Sequence, residues 1–522
     1  MTLEQKIGQM IMVGFNSLQF DDHVKELLYD YHIGNIILFS RNVANKDQIA
    51  GLTEEIQKNA IQATGIPAFI SIDQEGGMVT RITDGVTIFP GNMAVGATDD
   101  SRNAYNIGEI MGKELRALGV NMNLAPVLDV NNNPLNPVIG VRSYGEDPAK
   151  VADFGINYIK SLQKNGVIAT AKHFPGHGDT RVDSHIDLPI IDHDMERLQR
   201  IELHPFKAAI GVGVDAIMTA HIVFKALDSQ IPATLSHNVI TGLLRRQLGF
   251  EGLVITDCME MKAIDTYFGT VNAAVMAIKA GADMVLVSHT KEKQVGAVKA
   301  IKEAVLNGDI PIETIDRAVQ RIIGIKSRYN IMDYPYPNRD AAYDAIGSSE
   351  HISIAESISQ KSVTVIKDDK SLLPVKTKNI LAISPRPVLI TRVEDSDGKT
   401  QSLAEKLADK LGCEFSTMDL NPGDDYIEKT VQRAKDKELI IVGTYNANLN
   451  VGQCKLINKL YKYNENIIVV ALRNPYDISA FKQIPTYICT YEYTPLSIAS
   501  LINVLINEIR PLGKAPVTIE AR

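Results

Sequence analysis

Between Lys172 and His185 the chain gathers one lysine, three histidines (His173, His177, His185) and two aspartates (Asp179, Asp183) within fourteen residues. Imidazole titrates near neutrality, so a held histidine can give a proton and later take one back. Asp183 stands two residues before His185, and in an extended loop the two side chains share a side. The carboxylate would then orient the ring and raise its basicity. A bare Asp-Ser-His tripeptide is by default an ordinary surface loop. Asp257 ends the apolar run LVITD. A carboxylate fixed on a rigid element is what a covalent nucleophile requires. Taken alone, a cap for the next helix is the better reading of that aspartate.

Other groups admit two readings each. His173 and His177 are four apart, but Pro175-Gly176 between them rules out a shared helix. With Asp183 and His185 they suggest a metal site only as a minority reading, and no metal is expected. His221, ending AIMTAH, reads as a satisfied wall histidine. Arg81, Arg142 and Lys172 suit structural ion pairs. Together with Asp73 they also suit a grip on several hydroxyls of a sugar, which needs charged donors and acceptors at fixed angles.

Such groups need a scaffold, and the apolar runs supply one. Eight runs, starting at Gln9, Asn35, Ala68, Asn121, Val167, Ala216, Leu253 and Met284, alternate with stretches of helical periodicity. Gly119 and Gly166 close two of those helices. Near-continuous apolar strands with crossover helices imply a parallel sheet. Eight units favour a TIM-type (β/α)8 barrel over a doubly wound open sheet, with the chemistry at the carboxyl ends of the strands. The expected barrel covers residues 1–330, closed by TIDRAVQRIIGIKSRYNI. A Pro-, Tyr- and Asp-rich linker spans 331–349. A smaller α/β sandwich domain covers 350–522, with strands in SVTVIK, NILAIS, ELIIVG and NIIVVAL. That domain has no histidine after His351 and no phosphate loop, so its residues suggest no chemistry of their own.

The 522 residues carry a net charge of -8, which argues against nucleic-acid or anionic-membrane partners. No run is long enough to span a bilayer. The segment MTLEQKIGQMIMVGF lacks the marks of a secretory signal, so a cytoplasmic location is expected, a secreted form staying open. The four cysteines form no CxxC pair and read as reduced and structural. Without a large apolar or heptad patch, a monomer is expected.

Five strings, DQEGGMVTRI, RSYGEDP, KHFPGHGDT, VDSH and VITDCMEM, occur in this order and resemble glycoside hydrolase family 3 in its bacterial β-N-acetylglucosaminidase branch. VTVIKDDKSLLPV resembles the family's entry into its second domain, so the likeness covers nearly the whole chain. The resemblance implies a retaining β-N-acetylhexosaminidase that needs no cofactor. Asp257 would form the covalent glycosyl-enzyme. His185 would be acid and then base, oriented by Asp183, where most glycosidases use a second carboxylate. Asp73, Arg81, Arg142, Lys172 and His173 match the residues that hold N-acetylglucosamine. The implied substrate is terminal β-linked N-acetylglucosamine, on muropeptides in peptidoglycan recycling or on chitin oligosaccharides. Because the acid/base is a histidine, phosphate could also approach the glycosyl-enzyme without like-charge repulsion, which makes a phosphorylase the alternative. A sugar-binding relative with a dead site and a metal hydrolase are weaker alternatives. The histidine makes an acid from the second domain unnecessary, so that domain is expected to be structural or substrate-selecting.

Overall fold

In the computed structural model the described residues are 1–337, 341–389, 391, 393–394 and 401–520. The eight apolar runs become eight parallel strands: β1 (Ile11–Val13), β2 (Asn35–Leu38), β3 (Phe69–Ile72), β4 (Met122–Asn123), β5 (Ile168–Phe174), β6 (Ala216–Thr219), β7 (Leu253–Cys258) and β8 (Met284–Val287). They close in chain order, β8 pairing with β1, into a barrel. Nearly every strand residue is buried, because the helices cover one side of each strand and the barrel interior the other. Helices such as Lys46–Thr64, Arg102–Ala117 and Pro148–Lys164 lay their apolar stripes on this wall. Gly119 and Gly166 follow two of them with φ of +82° and +80°, as expected of residues that end a helix. The helix Ile312–Arg328 completes the ring.

One strand is shorter than its apolar run. Of NMNLAPVLDV only Met122–Asn123 joins the ladder, since Pro126 has no N–H to donate. The chain beyond stays beside β5 through Thr170 N–H to Ala125 O at 2.9 Å and Leu128 N–H to Lys172 O at 2.6 Å. The run from Val167 keeps its full extent: β5 continues through Lys172 and His173 to Phe174. Both side chains therefore stand on a strand and not on a loop.

The segment after the barrel contains a short helix, Ala341–Asp344, where no periodicity is visible in the sequence; residues 338–340 of the expected linker lie outside the described ones. Helix Ser349–Ser362 then leads into a six-stranded sheet: β9 (Thr364–Asp368), β10 (Ile380–Pro385), β11 (Glu414–Met418), β12 (Leu439–Thr444), β13 (Ile467–Ala471) and β14 (Thr486–Cys489). Its order is β9-β14-β13-β12-β10-β11, parallel except for β9. Apolar clusters on both faces show helices packed above and below it. β11 and β14 escape the sequence reading because EFSTM is polar at an exposed edge and TYIC is only four residues long. One of these clusters continues into the barrel domain through Met93, Ala94, Ala97 and Val141, so the two domains share packing.

Candidate active site

A cavity of about 470 Å³ opens at the carboxyl ends of the barrel strands, and every sequence-predicted site residue except Asp183 lines it. Asp183 lies just behind, bonded to His185.

One wall is a buried charge network. Asp73 follows β3, and the short ribbon Gln74–Gly76/Val79–Thr80 sets Glu75 beside it. Arg142, in the turn Gly140–Arg142, meets Glu75 with both Nε (2.9 Å) and Nη2 (2.7 Å), a bidentate fork. Lys172 Nζ lies 2.7 Å from Asp73 Oδ1 and 2.7 Å from Glu75 Oε1. Arg81 Nη2 is 3.7 Å from Asp73 Oδ2, and Arg81 Nη1 donates to Val393 O at 2.6 Å. Burial alone would push the Glu75 carboxyl up, but Arg142 and Lys172 outweigh it and hold it well below the usual range. Burial would likewise lower Lys172, yet Asp73 and Glu75 raise it. The cations thus stay charged in a desolvated wall, at the strength such a wall gives them.

His173, on β5, is fixed from behind by Asp129: its Nδ1 is 2.7 Å from Asp129 Oδ2. The backbone N–H groups of His173 and His177 donate to Asp129 Oδ1 at 3.2 and 2.6 Å. His177 turns its ring inward, Nδ1 at 2.9 Å from Thr180 Oγ1 and Nε2 at 3.0 Å from Ser184 Oγ. Burial lowers its pKa to about 4, so it is a neutral strut for the loop.

His185 and Asp183 meet as anticipated, Nδ1 to Oδ1 at 2.8 Å, but for a different reason. The loop is not extended there. Ile186 N–H and Asp187 N–H return to Asp183 O at 2.8 and 3.1 Å, making a turn in which Asp183 Oδ1 also accepts His185 N–H at 2.9 Å. The turn's Ser184 O accepts Ala263 N–H at 3.2 Å, and Asp187 accepts the Tyr267 hydroxyl. Both donors lie on the helix Lys262–Phe268 that follows β7, which ties the histidine loop to the strand carrying Asp257.

Asp257 sits inside β7, and the next helix is capped at Met261, so the capping reading falls away. Burial would raise its carboxyl, but His221, His173, His185 and the Cys258 N–H, which donates at 2.7 Å, bring it to about 2. It is a carboxylate at neutral pH. His221 is bonded at both nitrogens, to Thr234 Oγ1 (2.9 Å) and Cys258 O (3.0 Å), as a wall residue should be.

The His173/His177/His185/Asp183 constellation is not gathered as a ligand set: each ring nitrogen that faces away from the cavity is bonded within the protein. Among the described residues, Asp179, His193 and Glu202 do converge, and none of them lines the cavity. Arg197 already reaches Asp179 (3.4 Å) and Glu202 (3.3 Å), so the cluster is an ion-pair network.

Glu75, Asp129, Arg41, Glu260, His289 and Val393 were not singled out as site residues. Asp129, Arg41 and His289 stand within two residues of the ends of apolar runs, close to the kind of position that marked Asp257. Arg41 stacks over Phe39 at 4.1 Å and bonds Ser288 O at 2.9 Å, and Glu260 accepts His289 N–H at 2.6 Å. Val393 carries no local signal, because it arrives from the second domain.

This architecture, a closed barrel with a carboxylate, a carboxylate-held histidine and a cation-rich wall in one cavity, is that of a sugar-processing enzyme class, and residues 2–325 match the glycosyl hydrolase family 3 N terminal domain. The chain belongs to that family and is a glycoside hydrolase. It is 34% identical to β-hexosaminidase A of Pseudoalteromonas piscicida over 72% of this chain and 69% of that protein. The structure of a family 3 β-N-acetylglucosaminidase from Paenibacillus sp. str. FPU-7 superposes with a TM-score of 0.94 at 42% identity, each chain covered completely. A β-glucoside phosphorylase structure superposes with a TM-score of 0.83 at 26% identity, covering 100% of this chain and 95% of that one. Among the described residues no helix is long and apolar enough to cross a membrane.

Proposed function

We propose that the protein is a retaining exo-β-N-acetylglucosaminidase acting on terminal β-linked N-acetylglucosamine. The observation that carries this is the opening of Asp257 and the Asp183-held His185 onto one cavity whose remaining wall is a preformed cation–carboxylate network. Relatives named for hexosaminidase and β-N-acetylglucosaminidase activity support the substrate class. Asp257, ionised at working pH, attacks the anomeric carbon as the glycosidic bond breaks. His185 gives its Nε2 proton to the leaving oxygen; after departure of the aglycone it takes a proton from water, which attacks the same carbon and frees Asp257. Asp183 fixes the ring by accepting from Nδ1. Asp73, Arg81, Arg142, Lys172 and His173 hold the sugar hydroxyls and the N-acetyl group. Residues 1–330 form the catalytic unit, and 350–522 the second. We further propose muropeptides in cell-wall turnover as the natural substrate, with a monomeric, cytoplasmic enzyme.

The test is turnover of p-nitrophenyl β-N-acetylglucosaminide. Asp257→Ala is expected to lose on the order of 10³-fold or more in kcat. His185→Ala, with this good leaving group, should slow mainly the second step and show an initial burst of p-nitrophenol. Near-normal rates in Asp257→Ala would end the retaining reading. A phosphorylase using the same residues is favoured by the histidine acid/base and the likeness to a β-glucoside phosphorylase. Glycosyl phosphate among the products in phosphate buffer would establish it.

A further inference from the structure

Asp183 and His185 bond to each other, and the residue between them bonds elsewhere. Ser184 Oγ lies 3.0 Å from His177 Nε2, and Ser184 O accepts Ala263 N–H at 3.2 Å. Ser184 is 2% exposed, whereas Val182 and Ile186, just outside the pair, are 39% and 64% exposed. The turn that carries the acid/base histidine is thus pinned to the interior at Ser184.

Its anchor is rigid. His177 N–H donates to Asp129 Oδ1 at 2.6 Å, and His177 O accepts from Asn136 Nδ2 at 2.9 Å. A Cβ on the adjoining Gly178 would come within 1.8 Å of Val130 O, so this stretch lies directly against the segment after β4. The other oxygen of Asp129 holds His173 Nδ1 at 2.7 Å. One carboxylate therefore sets both a cavity-lining histidine and the strut behind the acid/base turn.

The bonds around His177 also place its proton. The Thr180 hydroxyl donates to His177 O at 3.2 Å, which leaves Thr180 Oγ1 to accept from His177 Nδ1–H at 2.9 Å. A neutral ring protonated at Nδ1 has a bare Nε2, so that nitrogen accepts the Ser184 hydroxyl proton. Burial keeps the ring in this neutral form, with a pKa of about 4. Removing Ser184 Oγ would leave a buried nitrogen unpaired and release the turn on the His177 side.

We propose that Ser184 is a positioning residue for proton transfer: through its hydroxyl, His177 holds the Asp183–His185 turn within reach of the leaving oxygen. The inference deepens the glycosidase reading, rests on His185 as its acid/base, and names what keeps that group in place. A proton donor must stand within about 2.6–3.2 Å of the atom it serves, so a small shift of the turn costs rate. Asp257 and the cation wall are bonded independently of Ser184, so the loss falls on the steps that move a proton.

The test compares three substrates with the full chain: N,N′-diacetylchitobiose, then the p-nitrophenyl and dinitrophenyl β-N-acetylglucosaminides, in order of falling need for a proton at the leaving oxygen. In Ser184→Ala, kcat/KM is expected to fall about 30-fold for the disaccharide, about fivefold for the p-nitrophenyl glycoside and least for the dinitrophenyl glycoside. Its kcat on the dinitrophenyl glycoside should also drop, because water needs the base, and azide should restore it. Azide is already an anion: it attacks the anomeric carbon of the glycosyl-enzyme, frees the Asp257 carboxylate and leaves as the glycosyl azide. His185→Ala should show the same grading more steeply, and the double variant should match His185→Ala alone. Ser184→Cys, similar in size and a weak donor, should fall between, and it replaces Ser184→Ala if that variant melts below the assay temperature. No loss, an equal loss across the series, or losses that multiply in the double variant overturns the proposal. An ungraded His185→Ala would instead overturn the acid/base reading, and the proposal with it.

Discussion

Two sheets in this chain, one parallel and one parallel but for β9, end in ionisable residues, and they use them differently. At the carboxyl edge of the barrel, Asp73, Lys172, His173 and Asp257 converge on a cavity. Beyond the matching edge of the second sheet, Glu394, Arg473, Asp477 and Glu492 are all buried and turned toward the barrel or into their own loops. Barrel closure makes the first difference: eight carboxyl ends on a circle point at one centre, whereas the five parallel strands of the open sheet end in a line that a neighbour can cover. The second difference is solvation. Asp257, facing three histidines and a backbone N–H, is a carboxylate with a pKa of about 2. Among the described residues no cation pairs with Glu492; its carboxyl accepts Gly91 N–H at 2.6 Å and Thr494 Oγ1–H at 2.9 Å. Burial raises its pKa to about 7. Similar carboxyl groups at similar strand ends are therefore charged and open to a cavity in one sheet, and form a near-neutral interface bond in the other.

Substitutions at the two edges should separate accordingly, and the largest effect belongs to the barrel. Glu75→Gln takes from buried Arg142 the carboxylate it is forked to and from Lys172 one of its two. It should cost about 3–5 kcal/mol in denaturant unfolding, the range for breaking a buried pair, and reduce kcat/KM by about 100-fold or more. A folded Glu75→Gln enzyme with wild-type kinetics would mean that the network is only structural.

At the second edge the expected effect depends on pH. The folded-state pKa of Glu492, about 7, lies above its ordinary 4.5, so the folded protein holds a proton that the unfolded chain releases. Its contribution to stability is complete below about 4.5 and declines as pH rises toward 7, by roughly 1–3 kcal/mol, then levels off. Glu492→Gln should flatten that part of the stability profile while leaving kcat within about threefold of wild type. Equal slopes in both proteins would place the titration elsewhere. The glycines facing this group are as constrained as the acid itself. Gly77, at φ +56°, would bring a Cβ within 2.7 Å of Glu492 Oε2 and of Gly91 Cα, so Gly77→Ala should destabilise where the domains meet.

The smallest effect concerns the interface bond from Asn131 Nδ2 to Tyr476 Oη, 3.0 Å long. Tyr476→Phe removes one neutral hydrogen bond, so a loss of about 1 kcal/mol in stability and no change in kinetics are expected. A clear rise in KM would extend the second domain's influence on the site beyond Val393.

How much of this was legible in the sequence follows from the range of each interaction. Strand existence and order came from local apolar runs, since a strand buried on both faces is apolar throughout. The five strings in order marked the family, and Asp257, His185 and Asp183 came with them. A polar edge strand such as β11 has no such pattern. The Asp183–His185 contact was expected from an extended loop and is made by a turn instead, because backbone bonds from Ile186 and Asp187 fold the segment back. The two conformations bring the same pair together, so residue spacing alone could not distinguish them.

By itself the sequence determined the class of scaffold, which carboxylates and histidines stand at strand ends, and the absence of patterns for membrane or nucleic-acid partners. Only the tertiary structure decided their states. Glu75 became a buried anchor when Arg142, 67 residues on, and Lys172, from β5, closed on it. His177 became a neutral strut through Ser184, and Arg81 was fixed by a carbonyl 312 residues away in another domain. The physical reason is common to all three: charge and proton occupancy depend on what is within about 4 Å once water is excluded, and the chain's fold, not its order, sets those neighbours.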